Sequence, residues 1–180
     1  MELIVLGLLS VFFVVFNYNK LVSSKQNVKE AWSGIDVQLK RRHDLIPSLV
    51  DTVKGYAKHE SALFNHIAAE RTKAIAFKGD DREAIAAVES EITQSMKSLF
   101  VVAEAYPALK ANENFLSLQQ QLGETEDQIA SARRIYNSNV ADMNTLIESF
   151  PSNILASILS FRKAEYFEDV GREKEVKITI

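Results

Sequence analysis

Apolar residues recur every three or four positions over residues 115–150, the longest periodic stretch of the chain. Phe115, Leu118, Leu122, Thr125, Ile129, Ala132, Tyr136, Asn139, Met143, Leu146 and Phe150 fall on this spacing, and only Thr125 and Asn139 are polar. Glu124, Glu126, Asp127, Arg133 and Arg134 lie between them. A seam repeating every ~3.5 residues drifts around a straight helix, so it predicts helices that wrap round one another. One helix of this length, about 55 Å, cannot cover its own seam. The remaining sequence must supply partners.

A second seam meets that need. Val28, Trp32, Ile35, Leu39, Arg42, Ile46, Leu49, Val53, Tyr56, Glu60, Leu63, Ile67, Glu70, Ala74 and Phe77 keep the same spacing. The phase passes through Pro47, where a helix loses a hydrogen bond and meets the carbonyl four residues back, that of His43. Residues 20–77 are therefore one helix kinked at Pro47 or two helices meeting near Asp44 and Pro47, with Asp44 as a cap. Further on, Gly79 is a helix stop, and Asp80 with Glu83 has capping-box spacing. A helix follows over about 81–105, with Ile85, Val88, Ile92, Leu99, Val102 and Tyr106 on one face. Pro107 ends or kinks it, Asn112 can cap the long helix, and Pro151 stops that helix. Ile154, Leu155, Ile158, Leu159 and Phe161 predict a short final amphipathic helix. Val176, Ile178 and Ile180 alternate as in a strand.

The N-terminus breaks the pattern. Residues 3–16 are apolar apart from Gly7 and Ser10, with no basic residue before them and no small-residue cleavage pattern after them. A signal peptide fits poorly. A buried core helix is an alternative, because the run is shorter than the roughly 17–25 residues usual for a span. The favoured reading is a transmembrane anchor over residues 1–19, with Leu3, Leu6, Leu9, Phe12, Phe13, Phe16 and Tyr18 facing lipid. Snorkelling at Tyr18 and Lys20 and local thinning of the bilayer make up the shortfall. Lys20, Lys25 and Lys29 follow the run, which sets residues 20–168 in the cytoplasm and the N-terminus outside. These lysines are candidate contacts for anionic headgroups. Residues 169–180 form a tail.

Composition narrows the classes. Net charge is −3, against a nucleic-acid partner. Cysteine is absent, which removes disulfides and thiolate chemistry. Only 6 glycines and 3 prolines leave too few turn residues for an all-β fold. The expected class is all-α: an N-terminal transmembrane helix, then an antiparallel helical bundle with long coiled-coil-like helices.

Particular residues carry a resemblance. Ala31-Trp32-Ser33-Gly34-Ile35-Asp36-Val37-Gln38-Leu39-Lys40-Arg41-Arg42, then Asp44-Leu45-Ile46-Pro47 and Val53-Lys54-Gly55-Tyr56-Ala57, closely resemble the LemA family. Glu104-Ala105-Tyr106-Pro107, Asn114-Phe115, Ala132-Arg133, Tyr136-Asn137, Asn144, Ile147-Glu148 and Phe150-Pro151 extend the likeness over residues 17–168. His43, Ser48, Met143 and Ser160 depart from the family pattern, which bears on local packing. The resemblance implies a bacterial membrane-anchored protein with an antiparallel helical cytoplasmic domain and no established enzymatic activity. Some relatives resemble organisers of specialised membrane structures, magnetosomes among them; others stand beside membrane proteases.

Candidate chemistry is sparse. His59 and His66 lie seven apart with Glu70 four beyond, but no further histidine can complete a metal site, and surface or capping roles fit better. Arg42, Glu60 and Glu70 occupy seam positions, where charge needs a partner. They read as a buried polar network, with Arg133 and Arg134 as candidate partners, or as side chains snorkelling at the seam edge. The run Lys40-Arg41-Arg42 reads as a solvated face more than as a phosphate site. Trp32, Tyr56 and Tyr136 read as core aromatics. Gly34 and Gly55 lie in helical seams, where close packing or flexing would justify them.

The expectation is a non-enzymatic scaffold without cofactor or metal, working with membrane lipid and with copies of itself to organise a membrane patch. An adaptor for a membrane protease or signalling protein is the alternative, with other membrane proteins as partners. A metal-dependent hydrolase is the remote one.

Overall fold

The computed structural model describes residues 1–77 and 81–168, apart from the side chains of Leu3 and Ser10. Every element among these residues is helical: α1 (Glu2–Lys54), α2 (Ser61–Ala76), α3 (Arg82–Glu104), α4 (Pro107–Lys110), α5 (Glu113–Glu148) and α6 (Ser152–Ile158). The strand expected near Ile178 lies outside the described residues, as do Gly79 and Asp80. The helices form two compact units. The first takes Met1–Asp36 and Ala130–Tyr166; the second takes Val37–Ile129 with Phe167 and Glu168. Both α1 and α5 supply residues to each.

α1 is one helix through Pro47. Of the two readings open at Pro47, one helix or two helices meeting near Asp44, the first holds there, but the chain leaves the helix after Lys54 and does not run on to residue 77. Pro47 has no N–H to give the carbonyl of His43. Arg71 of α2 supplies the missing donor, its Nε reaching that oxygen at 2.7 Å. The orphaned acceptor is thus satisfied from a neighbouring helix, and the proline is tolerated. Residues 55–60 then turn the chain back into α2. Gly55 marks the end of the helix. At Gly34 an added Cβ would meet nothing within 4 Å, so close packing does not explain that glycine.

In the second unit α1, α2, α3 and α5 surround one apolar core. Ile46, Leu49, Val53, Ile67, Ile92, Leu99 and Leu122 are almost wholly buried in it. α2 and α3 pack against each other. Asp81 caps α3, accepting from the Ala84 N–H at 3.0 Å, one residue later than the capping box implies. The buried face of α3 is Ala86, Glu89, Ile92, Met96, Leu99 and Ala103. It is rotated from the expected face because small residues and one glutamate pack inward while Ile85, Val88 and Val102 sit half-exposed. Pro107 opens the short α4, a position where its missing N–H costs nothing. Asn112 caps α5, accepting from the Phe115 N–H at 3.0 Å and donating to the Tyr56 hydroxyl. Tyr56 itself is exposed, not a core aromatic.

The first unit sets α1 beside the C-terminal half of α5. Trp32 meets Tyr136 edge to face, ring centroids 5.4 Å apart. After α6 the chain runs back along α5. Asn144 holds it by donating to the Ala164 carbonyl and accepting from the Ala164 N–H, at 3.0 and 2.9 Å. The Tyr136 hydroxyl donates to the Glu165 carbonyl at 2.8 Å. The α5 seam holds: Phe115, Leu122, Thr125, Ile129, Tyr136 and Met143 are all buried. Phe150, at its end, is 80% exposed. Val140, off the seam, is fully buried.

Candidate functional site

Two features stand out. The first is the start of α1. Ile4, Leu6, Leu9, Phe12, Phe13, Phe16 and Tyr18 are all exposed, Phe12 by 70%. A helix that turns apolar residues outward all round needs an apolar surrounding. Asn17, Leu21 and Ser24 are the first buried positions, so the protein's own packing begins where the apolar run ends. Asn17 donates to the Phe13 carbonyl at 2.9 Å, which satisfies its amide within the helix. α1 is long and apolar enough to cross a membrane, and it suggests membrane anchoring. Lys20, Lys25 and Lys29 are exposed just beyond the run. Lys25 lies over the Phe161 ring, 5.8 Å from its centroid.

The second feature is an ion cluster buried in the second unit. Arg42 is 2% exposed, although its neighbours Lys40 and Arg41 are solvated. Its Nη1 donates to Glu126 Oε1 at 2.7 Å and to Thr93 Oγ1 at 3.0 Å. Its Nη2 donates to the Glu89 carboxylate in a short contact and to the Glu89 carbonyl at 3.4 Å. The other Glu89 oxygen accepts from His43 Nε2 at 3.0 Å. Thr93 passes its own proton to the Glu89 carbonyl. Within this cluster Arg42 Nε is buried without a partner. The cluster therefore joins α1, α3 and α5, and the Arg71 bond to His43 adds α2.

The electrostatics are mutual. Burial opposes the Arg42 charge, but Glu126 and Glu89 outweigh it and hold the guanidinium above its ordinary value. Burial likewise pushes Glu89 toward its neutral form. The bonds from His43 and Arg42 outweigh that and hold its carboxyl below the ordinary carboxylate range. An ionised Glu89 only accepts, so His43 Nε2 carries the proton in this bond. Through these bonds the buried guanidinium ties α1 to α3 and α5.

The remaining sequence candidates are dispersed. Glu70 is buried and pairs with Lys73 of its own helix at 2.7 Å. Glu60 is half-buried at the start of α2. Neither joins the Arg42 cluster. Arg133 and Arg134 belong to the first unit, and the charged partners of Arg42 are Glu89 and Glu126. His59 and His66 are exposed. Among the described residues no three acidic or histidine side chains converge as for a metal. Sequence reasoning missed Glu89, His43 and Glu126. Glu89 could have been found: it lies four after Ile85 and three before Ile92 on the face of α3.

Several known proteins are similar to this chain over most of its length. The chain is 26% identical to magnetosome protein MamQ 2 of Paramagnetospirillum magneticum (strain AMB-1), over 93% of this chain and 72% of that one. It is 23% identical to magnetosome protein MamQ of Magnetospirillum gryphiswaldense, over 87% and 66%. It is 25% identical to protein LemA of Metamycoplasma hominis, over 89% and 74%. The LemA family pattern matches residues 31–180, which include the Arg42 cluster and all of α5. By that match this chain belongs to the LemA family.

Proposed function

We propose that the protein is a single-pass membrane scaffold that acts without catalysis. It presents helix faces to copies of itself and so organises the membrane patch beneath it. The observation that carries this is the continuity of α1. No loop separates the exposed apolar residues up to Phe16 from the first buried positions, Asn17, Leu21 and Ser24. A tilt of the folded helices is then a tilt of the span, and side-by-side assembly becomes a force on the bilayer. The exposed Lys20, Lys25 and Lys29 favour a cytoplasmic helical domain and an external N-terminus, in a bacterial inner membrane. Relatives that bear the name magnetosome protein fit a role in a specialised membrane structure.

The test is the mass of the full-length protein in mild detergent, by light scattering on a sizing column, with images of any large peak. A discrete high-order assembly is the expected result. A monomer or dimer at all concentrations overturns the scaffold and favours an adaptor for another membrane protein.

A further inference from the structure

The short helix α6 packs the wrong way round for a helix in water. Its small residues Ser152 and Ala156 are buried, while Ile154 and Ile158 are 52% and 71% exposed. Phe150, four before Ile154, is 80% exposed, and Leu159 is 45% exposed. Ile154 and Ile158 lie four apart on α6 and share a side, and Phe150 is exposed in the turn that leads into that helix. Ser152 fixes the corner, its hydroxyl bonded to the carbonyls of Leu146 and Ser149 at 2.6 and 3.0 Å. The apolar side chains are therefore turned outward by a held backbone. Contiguous exposed apolar surface of this kind marks a contact.

The register of the first unit shows what it meets. Trp32 and Tyr136 lie side by side, and α1 and α5 run antiparallel there, since Gly34 and Asn27 share a groove with Ala132 and Asn139 while Lys20 shares one with Asp142 and Leu146. Lys20 comes twelve residues before Trp32 and Glu148 twelve after Tyr136. At about 1.5 Å per residue both lie ~18 Å from that ring pair, on the same side. A groove of about 660 Å³ lined by Phe16 and Lys20 with Asp142 and Leu146 confirms that this end of α5 stands beside the base of the anchor. Phe150 is thus level with residues just after the apolar run.

The anchor needs something there. The fourteen residues 3–16 span about 21 Å, against a hydrocarbon core of about 30 Å. The deficit of about 9 Å equals six residues of helix, 17–22. If these enter the bilayer boundary, so does the corner beside them. We infer that Phe150 and Ile154, at the α5–α6 corner, insert into the acyl–headgroup boundary of the bilayer and form a second, interfacial membrane contact beside the anchor. Lys20, Lys25 and Arg162, all exposed near this end, suit the phosphate layer behind it. Continuity with the apolar anchor favours lipid over a second copy of the chain as the occupant. The inference rests on residues 3–16 being a membrane span.

The chain contains no cysteine, so single cysteines can be placed and labelled without background. The full-length protein is reconstituted into phosphatidylcholine–phosphatidylglycerol vesicles as Phe12→Cys, Phe150→Cys, Ile154→Cys or Ile135→Cys, each carrying a polarity-sensitive fluorophore. Ile135 is 58% exposed on α5, thirteen residues from Glu148, and serves as the aqueous reference. Lipids with nitroxides at shallow or deep acyl positions, and aqueous iodide, serve as quenchers. Labels at Phe150→Cys and Ile154→Cys are expected to be blue-shifted against Ile135→Cys and quenched most by the shallow nitroxide. Phe12→Cys is expected to respond to the deep one. Iodide quenching at Phe150→Cys equal to that at Ile135→Cys, with Phe12→Cys still quenched by lipid, overturns the corner contact and leaves the anchor standing. Loss of lipid quenching at Phe12→Cys overturns both. Protection at Phe150→Cys from iodide and nitroxides alike, growing with protein-to-lipid ratio, assigns the patch to a second copy and overturns the inference.

Discussion

Arg71 donates to the carbonyl of His43 at 2.7 Å, and that carbonyl is the acceptor Pro47 leaves without a helical donor. A guanidinium from α2 thus mends the gap in α1, and the same turn carries Arg42 and His43 into the ion cluster. The proline places a free carbonyl where α2 can reach it, so a local defect becomes a tertiary contact.

Replacing Arg71 by alanine should therefore cost about 1–3 kcal/mol, the penalty for a buried acceptor left unpaired. In a Pro47→Ala background the helix supplies its own donor, and the same replacement should cost clearly less. Urea unfolding of the four proteins in this cycle gives the coupling. Equal costs in both backgrounds would show that Arg71 acts elsewhere.

Arg42→Met should destabilise the protein by about 3–5 kcal/mol, because it strands Glu89 in the core. The double variant Arg42→Met with Glu89→Met should be more stable than Arg42→Met alone, since it removes both buried charges. Thermal melts read by circular dichroism distinguish the two. A double variant worse than the single one would mean the site needs its polarity for packing, not for charge balance.

Acid should weaken the fold through Glu89. Its folded carboxyl is held below the ordinary value of 4.5, so the unfolded chain takes up the proton first. The stabilisation is full above that value and is lost as pH falls through the lower folded one. Glu89→Gln should be less stable than the parent at neutral pH, with the gap narrowing below about pH 4.5. Denaturant midpoints measured for both proteins between neutral and acid pH test this; a constant gap would be the contrary result.

Asn144 holds the returning segment at Ala164 by two hydrogen bonds. Asn144→Asp keeps an acceptor for the Ala164 N–H but offers the Ala164 carbonyl no donor at neutral pH. Asn144→Ala loses both. Hydrogen exchange over residues 160–166 should quicken in both variants, and more in Asn144→Ala. Unchanged exchange there would mean that Tyr136 and its bond to Glu165 suffice.

Much of the fold was legible along the chain because periodicity is a one-dimensional record of which face is buried. The α5 seam, the role of Asn112, the end of α3 before Pro107 and the short helix after Pro151 all follow from local spacing and capping chemistry. The exposed apolar start of α1 was equally plain, since water forbids such a surface whatever lies next to it. Where the reading went astray, a distant group had changed the local rule. Local spacing left open whether the helix breaks near Asp44, and Arg71, which satisfies His43 from another helix, goes with the unbroken one. The face of α3 is rotated, because Glu89 is neutralised by Arg42 and so packs where a large apolar residue was expected.

What the sequence determined by itself, then, is the all-helical class, the seam of α5 and the apolar start of α1, for these depend on residues a few positions apart. Only the tertiary structure decided which charge meets which. Arg42 and Glu126 are 84 residues apart in the chain, and nothing in their local spacing selects that pair over Arg133 or Glu70. The outward turn of Phe150 and Ile154 was also hidden, because periodicity marks an apolar face without saying whether protein or lipid covers it. Burial of a charge, and exposure of an apolar side chain, are properties of what packs alongside, and that is settled only when the helices meet.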